Sequence, residues 1–308
     1  MHLVIGAEQF LGRHVSHALA SEAPVIELNA DADDQTLADA IRTVDVVHIC
    51  AETWSPGRRL RFRKDPPGLL VRIVNAARRA GAKRIVHIST ADVYGAQPAR
   101  LTERAKLRPT HAIERLKLHE EEWLFDAAQD LDVVVLRPAR VFGAGEDWML
   151  PHLLTKLAKG RLWLPGGGRV KQTFVAAGDV GRACLAAADR GQPGHSYLIG
   201  GFDSTWRELL ESSARVVGIE AEIGSVPYDL AFLRGLAVET MTAPGAQVWP
   251  GMYAVDVIGK PHQYDDSYSR RELTWSPAVG SFEQAMPQMA AWLSELPGVA
   301  AFARTETT

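Results

Sequence analysis

The first stretch whose residue types and spacing could do chemistry is Gly6-Ala7-Glu8-Gln9-Phe10-Leu11-Gly12, which follows the apolar run Leu3-Val4-Ile5 and opens a segment of helical period. A strand, a glycine turn and a helix start in that order aim backbone N–H groups and a positive helix end at a phosphate. In a dinucleotide site the first glycine makes the tight turn, the second lets the backbone approach the pyrophosphate, and the third lets the helix pack on the strand. Gly6 and Gly12 hold the outer places and Gln9 holds the middle one. A side chain at Gln9 crowds the pyrophosphate, and Glu8 brings negative charge to the same helix end, so both work against a dinucleotide. The bland alternative is that the two glycines serve only backbone geometry and packing. After the next apolar run, Asn29 stands where an NAD site offers an acidic group to the ribose hydroxyls, with Asp31 two residues on. Asp31 could serve if the loop folds back, or it could cap the following helix together with Asp33 and Asp34. No Arg follows this run, which favours NAD over NADP. Gly6, Gln9, Phe10, Leu11, Gly12, Asn29 and Asp31 are therefore the candidate cofactor-side residues, and NAD or NADP is expected to bind weakly or to have been lost.

The elements that must position these residues follow from the alternation of short Val- and Ile-rich runs with segments of helical period, the signature of βαβ units and a parallel sheet. Strands are expected at 2–6, 24–29, 44–50, 84–89 and 132–137, and helices near 11–21, 35–42, 66–80, 111–128 and 149–159. The link between the second and third strands is short, so the sheet should lack part of a βαβ unit. Past about residue 145 the elements shorten, with a glycine run at Gly166-Gly167-Gly168 and helices at 179–190, 204–217 and 281–295. The expected division is a nucleotide-binding-type core over 1–150, a mixed segment over 151–300 that builds a substrate cap and returns to the core, and a frayed tail over 301–308.

Composition narrows the partners. The 308 residues are 46% hydrophobic and 23% charged, with 34 basic against 37 acidic side chains, the balance of a globular protein with no global field for nucleic acid or a membrane surface. Cys50 and Cys184 lie in apolar runs without ligand spacing, so neither a disulfide nor a zinc site is expected. No leader pattern or membrane-length apolar run appears, and a cytoplasmic location is expected. Arg58-Arg59-Leu60-Arg61-Phe62-Arg63-Lys64 gathers five positive charges. It is either a phosphate or acidic-partner site or, more commonly for such a run, a solvated face.

Several segments in order carry a resemblance: the glycine loop, Ile88-Ser89-Thr90-Ala91-Asp92-Val93-Tyr94-Gly95, Leu136-Arg137-Pro138-Ala139-Arg140-Val141-Phe142-Gly143, Asp179-Val180, and Arg271-Glu272-Leu273-Thr274-Trp275-Ser276-Pro277. Over about residues 2 to 295 the chain resembles the NAD-dependent epimerase/dehydratase family, the extended short-chain dehydrogenases/reductases. The resemblance implies an α/β fold with a Rossmann-type doubly wound parallel sheet and a smaller C-terminal substrate cap. It also implies a catalytic set of a hydroxyl, a tyrosine and a lysine. Thr90 matches the hydroxyl, and Lys117 matches the lysine, which in the family both lowers the tyrosine pKa and orients the ribose. The tyrosine should lie four residues before that lysine, where this chain has Ile113. Isoleucine cannot transfer a proton, and general acid-base help is worth roughly 10²–10⁴ in rate. His111 is the candidate replacement with Glu114 beside it, while Tyr94 matches a structural tyrosine of the family. Gln172 stands where nucleotide-sugar members carry an Arg, so a sugar nucleotide is not supported, and Trp54, Trp148 and Trp163 suggest a rim for a flat apolar ligand.

Three functions remain in view. One is a divergent NAD(P)-dependent oxidoreductase, epimerase or dehydratase acting on a small, apolar metabolite through Thr90, Lys117 and an unusual acid or base. The others are a non-catalytic ligand- or partner-binding descendant, and a non-redox enzyme that uses the old cleft without nicotinamide. The partner expected is a small molecule, with no nucleic acid and no membrane, and a homodimer is allowed.

Overall fold

The computed structural model describes residues 1–52, 68–243, 246 and 251–300. Trp54, the Arg58 to Lys64 run and the tail 301–308 lie outside the described residues. The first half alternates β1 (His2–Ile5), α1 (Phe10–Ala20), β2 (Val25–Leu28), α2 (Asp34–Ile41), β3 (Val46–Ile49), α3 (Gly68–Ala80), β4 (Arg84–Ile88), α4 (Ala112–Ala127) and β5 (Asp132–Pro138). The second half contributes β6 (Arg140–Phe142), α5 (Met149–Ala158), β7 (Leu162–Pro165), β8 (Lys171–Ala176), α6 (Ala177–Arg190), β9 (His195–Ile199) and β10 (Phe202–Thr205). It ends with α7 (Trp206–Val216), β11 (Ile223–Val226), α8 (Tyr228–Met241), α9 (Met252–Gly259), α10 (Ser267–Leu273) and α11 (Phe282–Glu295).

The central sheet runs β2-β1-β3-β4-β5-β9 with every neighbour parallel. Its strands are apolar on both faces because both are covered. Val4, Val86 and Val134 face one core with Val15 and Val180. Leu3, Ile5, Val47, Ile85 and Val133 face the other with Ile73 and Leu124. In the doubly wound order 3-2-1-4-5-6 a further strand lies outside the second. Here β2 is the edge of the sheet, because the short link to β3 holds only the eight-residue α2, capped by Asp33, which accepts from the N–H groups of Gln35 and Thr36 at 2.9 Å. A third core, around Phe142, Phe174, Trp206 and Phe282, is built from later segments. It sits beside the small sheets β10-β8-β6 and β11-β7. No described helix is long and apolar enough to cross a membrane.

Two glycines have no substitute in the first turn. Gly6 sits at φ 86°, and a Cβ there would lie 2.6 Å from the Ala51 backbone. A Cβ at Gly12 would lie 1.9 Å from the Gly6 carbonyl oxygen, so α1 can approach β1 only without a side chain. The register His2↔Val46 to Ile5↔Ile49 then sets the ends of β1 and β3 side by side. The carboxyl ends of β1, β3, β4 and β5 thus bring Gly6, Cys50 to Glu52, Ser89-Thr90 and Ala139-Arg140 to one rim.

His48, in β3, is fully buried, and burial followed by the proximity of His2 lowers its pKa to about 3. The unfolded chain takes up this proton near the ordinary histidine value of about 6.5, so the unfolded state binds more protons as pH falls and stability drops with it. Between pH 7 and pH 5 this one group should remove about 2 kcal/mol of stability. Urea unfolding at the two pH values should show a drop that His48→Val reduces by about that amount. An unchanged pH dependence in that variant would contradict the assignment.

Candidate functional site

At the rim of strand ends lies a cavity of about 410 Å³ that Thr90, Ile113 and Lys117 line together. Thr90 lies two residues past β4 and its hydroxyl accepts from the Asp92 N–H at 3.2 Å, which starts the tight turn 91–94. Ile113 and Lys117, four apart on α4, share the helix face turned to the cavity, as the spacing requires. Both are buried, at 7% and 3% exposure. Behind them Glu121 anchors α4 to β5. Its two carboxylate oxygens share the single Arg137 Nε–H at 3.1 Å each, one of them also accepts from Arg137 Nη2 at 2.5 Å, and the other from the Ser89 hydroxyl. Tyr94 is wholly buried and accepts from Arg137 Nη1 at 2.7 Å, which makes it a packing residue rather than a cavity phenol.

Lys117 does not present a free ammonium. Its Nζ lies 3.3 Å from Glu120 and 3.2 Å from Glu52, the residue just past β3. Burial opposes the charge, but the Glu120 and Glu52 carboxylates outweigh it and raise the lysine pKa above its ordinary value. The ammonium therefore stays protonated and held. Glu52 is tied a second time, through its backbone N–H, which donates to Gln9 Oε1 at 2.7 Å. Gln9 precedes the first turn of α1 in extended conformation, so its side chain spans from the glycine loop to the end of β3. Phe10 and Leu11 line the cavity beside it. Glu8 Oε1 accepts from the Ala30 N–H at 3.1 Å, closing the loop onto the end of β2. Asn29 and Asp31 are exposed there and are not among the cavity residues, and Asp33 rather than Asp31 caps α2.

The opposite wall comes from the second half of the chain. Tyr253, on α9, donates its hydroxyl to Asp92 Oδ2 at 2.7 Å, and Trp148 stacks on its ring at 5.2 Å between centroids. Asp92 is buried and paired with Arg140 at 2.5 Å. Burial and then the Asp92 charge hold Tyr253 well above the ordinary phenol pKa, so it is a protonated donor. Gln172, also buried, accepts from Arg140 Nε at 3.1 Å and donates to the carbonyls of Val257 and Lys260. The position at which nucleotide-sugar members carry an Arg is thus a neutral link between β8 and the C-terminal end of α9.

His111 is not among the residues that line the cavity. It precedes the first turn of α4, its Nε2 lies 2.9 Å from Asp256, and its ring meets the edge of Tyr253 at 5.3 Å. Burial works against its charge, but the Asp256 hydrogen bond and neighbouring carboxylates raise its pKa. Glu114 is occupied by the Thr110 and His111 N–H groups at 2.5 and 3.0 Å. Trp148 borders the cavity as expected, whereas Trp163 faces elsewhere. Among the described residues no cluster of His, Cys, Asp or Glu has the arrangement of a metal site.

Glu52, Asp92, Arg140 and Tyr253 line the cavity without having been singled out as site residues by the sequence, although Asp92 and Arg140 fall in the segments that carry the resemblance. The rule that ligands meet a parallel sheet at the strand carboxyl ends singles out the first charged residues past β3 and β5, Glu52 and Arg140. Nothing local points to Tyr253, which lies 161 residues from Asp92.

Comparison with known proteins agrees with this geometry. Residues 2–200 match the model of the NAD dependent epimerase/dehydratase family. A ketoreductase of Stigmatella aurantiaca, acting on a 4-farnesyl-3,4-dihydroquinoline-1-oxide, is 28% identical over 80% of this chain and 76% of its own. The 2-alkyl-3-oxoalkanoate reductase of Stenotrophomonas maltophilia is 24% identical over 84% of each chain. Among solved structures, the UDP-glucuronic acid 4-epimerase of Bacillus cereus, in complex with UDP-glucuronic acid and NAD, superposes with a TM-score of 0.74 at 18% identity, covering 96% of this chain and 99% of that one. With the parallel sheet, the glycine turn and the Thr90–Lys117 cavity in place, the chain belongs to the NAD-dependent epimerase/dehydratase family.

Proposed function

We propose that this protein is an altered enzyme of the family that takes a small, largely apolar metabolite into the cavity between α4 and α9, with a nicotinamide dinucleotide held weakly or not at all. The observation that carries this is Ile113, which sits on the cavity wall one helical turn before Lys117, where the family places its proton-transferring tyrosine. Family chemistry needs a phenol there and a lysine free to lower its pKa and to hold the ribose. Neither condition is met, since Lys117 is committed to Glu52 and Glu120.

The residues present do not fit a dinucleotide in the family position. Gln9 fills the place of the glycine that admits the pyrophosphate and is bonded across to Glu52. Glu8 adds a carboxylate to the same helix start, and Asn29 offers no acidic group to a ribose. Each lost hydrogen bond to a charged group costs roughly 1.5–3 kcal/mol, and about 1.4 kcal/mol is tenfold in affinity. Two such losses move a micromolar site toward the millimolar range.

The Thr90 hydroxyl on one wall and the Tyr253 hydroxyl, bonded to Asp92, on the other both line the cavity. We assign Tyr253, which stays protonated beside Asp92, the proton-donating role that Ile113 has lost, with Asp92 and Arg140 orienting it and His111 supporting its ring from outside the cavity. A second reading, a ligand-binding descendant without catalysis, is favoured by the double hold of the Glu52 and Glu120 carboxylates on the would-be reactive lysine.

Two experiments follow. Calorimetric titration with NADH should give at least roughly tenfold tighter binding for Gln9→Gly than for the unaltered chain, because one obstruction and one bond to Glu52 are removed together. Equal affinities would show that Gln9 does not obstruct the groove. For the apolar cavity, 1-naphthol followed by calorimetry should bind at one site and weaken at least roughly tenfold in Trp148→Ala, which deletes the stacked rim. Binding unaffected by that change would place the apolar ligand elsewhere.

A further inference from the structure

A second cavity, of about 470 Å³, lies on the other side of α9 from the one just described. Helix α9 turns Tyr253 and Val257 to the first cavity and Ala254, Val255 and Ile258 to the second. The far wall is α8, a helix in which only Gly235 is buried and whose Leu230 stands 59% exposed. Trp163, on the edge of β7, contributes an indole that is 58% exposed. Apolar surface of this kind left open beside a cavity of drug-like size marks a binding surface rather than an unfinished core.

The charges at this cavity are of one sign. Lys156, from α5, and Arg234, from α8, both line it, and among the described residues no Asp or Glu does. Partial burial and then the positive charge of Arg234 lower the Lys156 pKa. Among the described residues no carboxylate pairs with either cation, in contrast to Arg161 next to Trp163, which is paired with Glu222 at 2.9 Å. Two cations beside each other against an apolar wall repel unless an anion lies between them, and a guanidinium recognises an oxyanion with its planar donor fork.

We propose that this cavity binds a single-chain amphiphile of the long-chain carboxylate class, its alkyl chain against Trp163, Leu230 and Ile258 and its carboxylate between Lys156 and Arg234. The site is separate from the cleft of the family, so it stands whether or not that cleft holds a nicotinamide or turns over a substrate.

The test uses the full chain and dodecanoate below its micelle concentration, followed by calorimetry. The expected result is one saturable site that weakens at least roughly tenfold in the Lys156→Gln/Arg234→Gln double variant, while dodecan-1-ol changes by less than about twofold. Filling the cavity with Ala231→Trp should abolish both, and Trp148→Ala, in the first cavity, should leave both unchanged. Should the double variant fold poorly, Arg234→Gln alone, on the exposed face of α8, should still weaken dodecanoate selectively. Absence of saturable binding, a dodecanoate affinity indifferent to the cations, or loss in Trp148→Ala would overturn the proposal. So would binding to phosphatidylglycerol vesicles without binding of monomeric dodecanoate, which would make the patch a membrane contact instead.

Discussion

A protonated ammonium buried at 3% exposure must be neutralised where it sits, and the way this chain neutralises Lys117 governs the rest of its cleft. Helix α4 supplies one partner, Glu120, from its own next turn. The other, Glu52, has to come from β3, and it can be there only because β1 and β3 run in register and Gly6 lets the Ala51 backbone come close. Once Glu52 is drawn to the lysine, its N–H points to Gln9, and the glycine loop is fastened to the neighbouring strand end. A lysine that in other members of the family meets a ribose and a phenol is here satisfied by the protein itself.

The same economy of charge runs through the opposite wall. Asp92, Arg140, Gln172 and the Tyr253 hydroxyl form a connected buried network, and buried polar groups are tolerable only when each has its partner. The network joins the turn after β4, the segment after β5, β8 and α9, elements from both halves of the chain. It therefore fixes where the second half sits over the sheet. The His111–Asp256 contact repeats this outside the cavity, tying the start of α4 to α9. The cavity shape is a consequence of two charge networks, one on each wall, with Ile113, Phe10 and Trp148 between them.

Much of the sheet was legible because parallel strands buried on both faces read as continuous apolar runs, as Leu3-Val4-Ile5 and Val133-Val134-Val135-Leu136 do, whereas the edge strand β2 carries the exposed Glu27. The helices that cover them fell within two residues of their expected limits, α6 beginning at Ala177 rather than 179. The short β strands of the second half and α8, α9 and α10 were not legible. Helix α8 lacks an apolar stripe separated from its polar positions, and β6, β7, β10 and β11 have only three or four residues each. At the site, Thr90 and Lys117 followed from the family resemblance, and helical spacing set Ile113 on the same face as Lys117. The contacts of Glu52 with Lys117 and of Tyr253 with Asp92 did not follow, since pairings across 65 and 161 residues leave no local pattern. His111 had the chemistry for proton transfer, but its direction was decided by Asp256, a partner 145 residues away.

Membership of the family explains the scaffold, and the proposed departure from the use that scaffold usually serves rests on the Gln9–Glu52–Lys117 chain. The most direct measurement is calorimetric titration of the unaltered protein with NAD⁺, NADH, NADP⁺ and NADPH. If the groove is closed in this way, none should saturate the protein below about 1 mM. A micromolar dissociation constant for any of the four would contradict the account and return the cleft to ordinary nicotinamide chemistry.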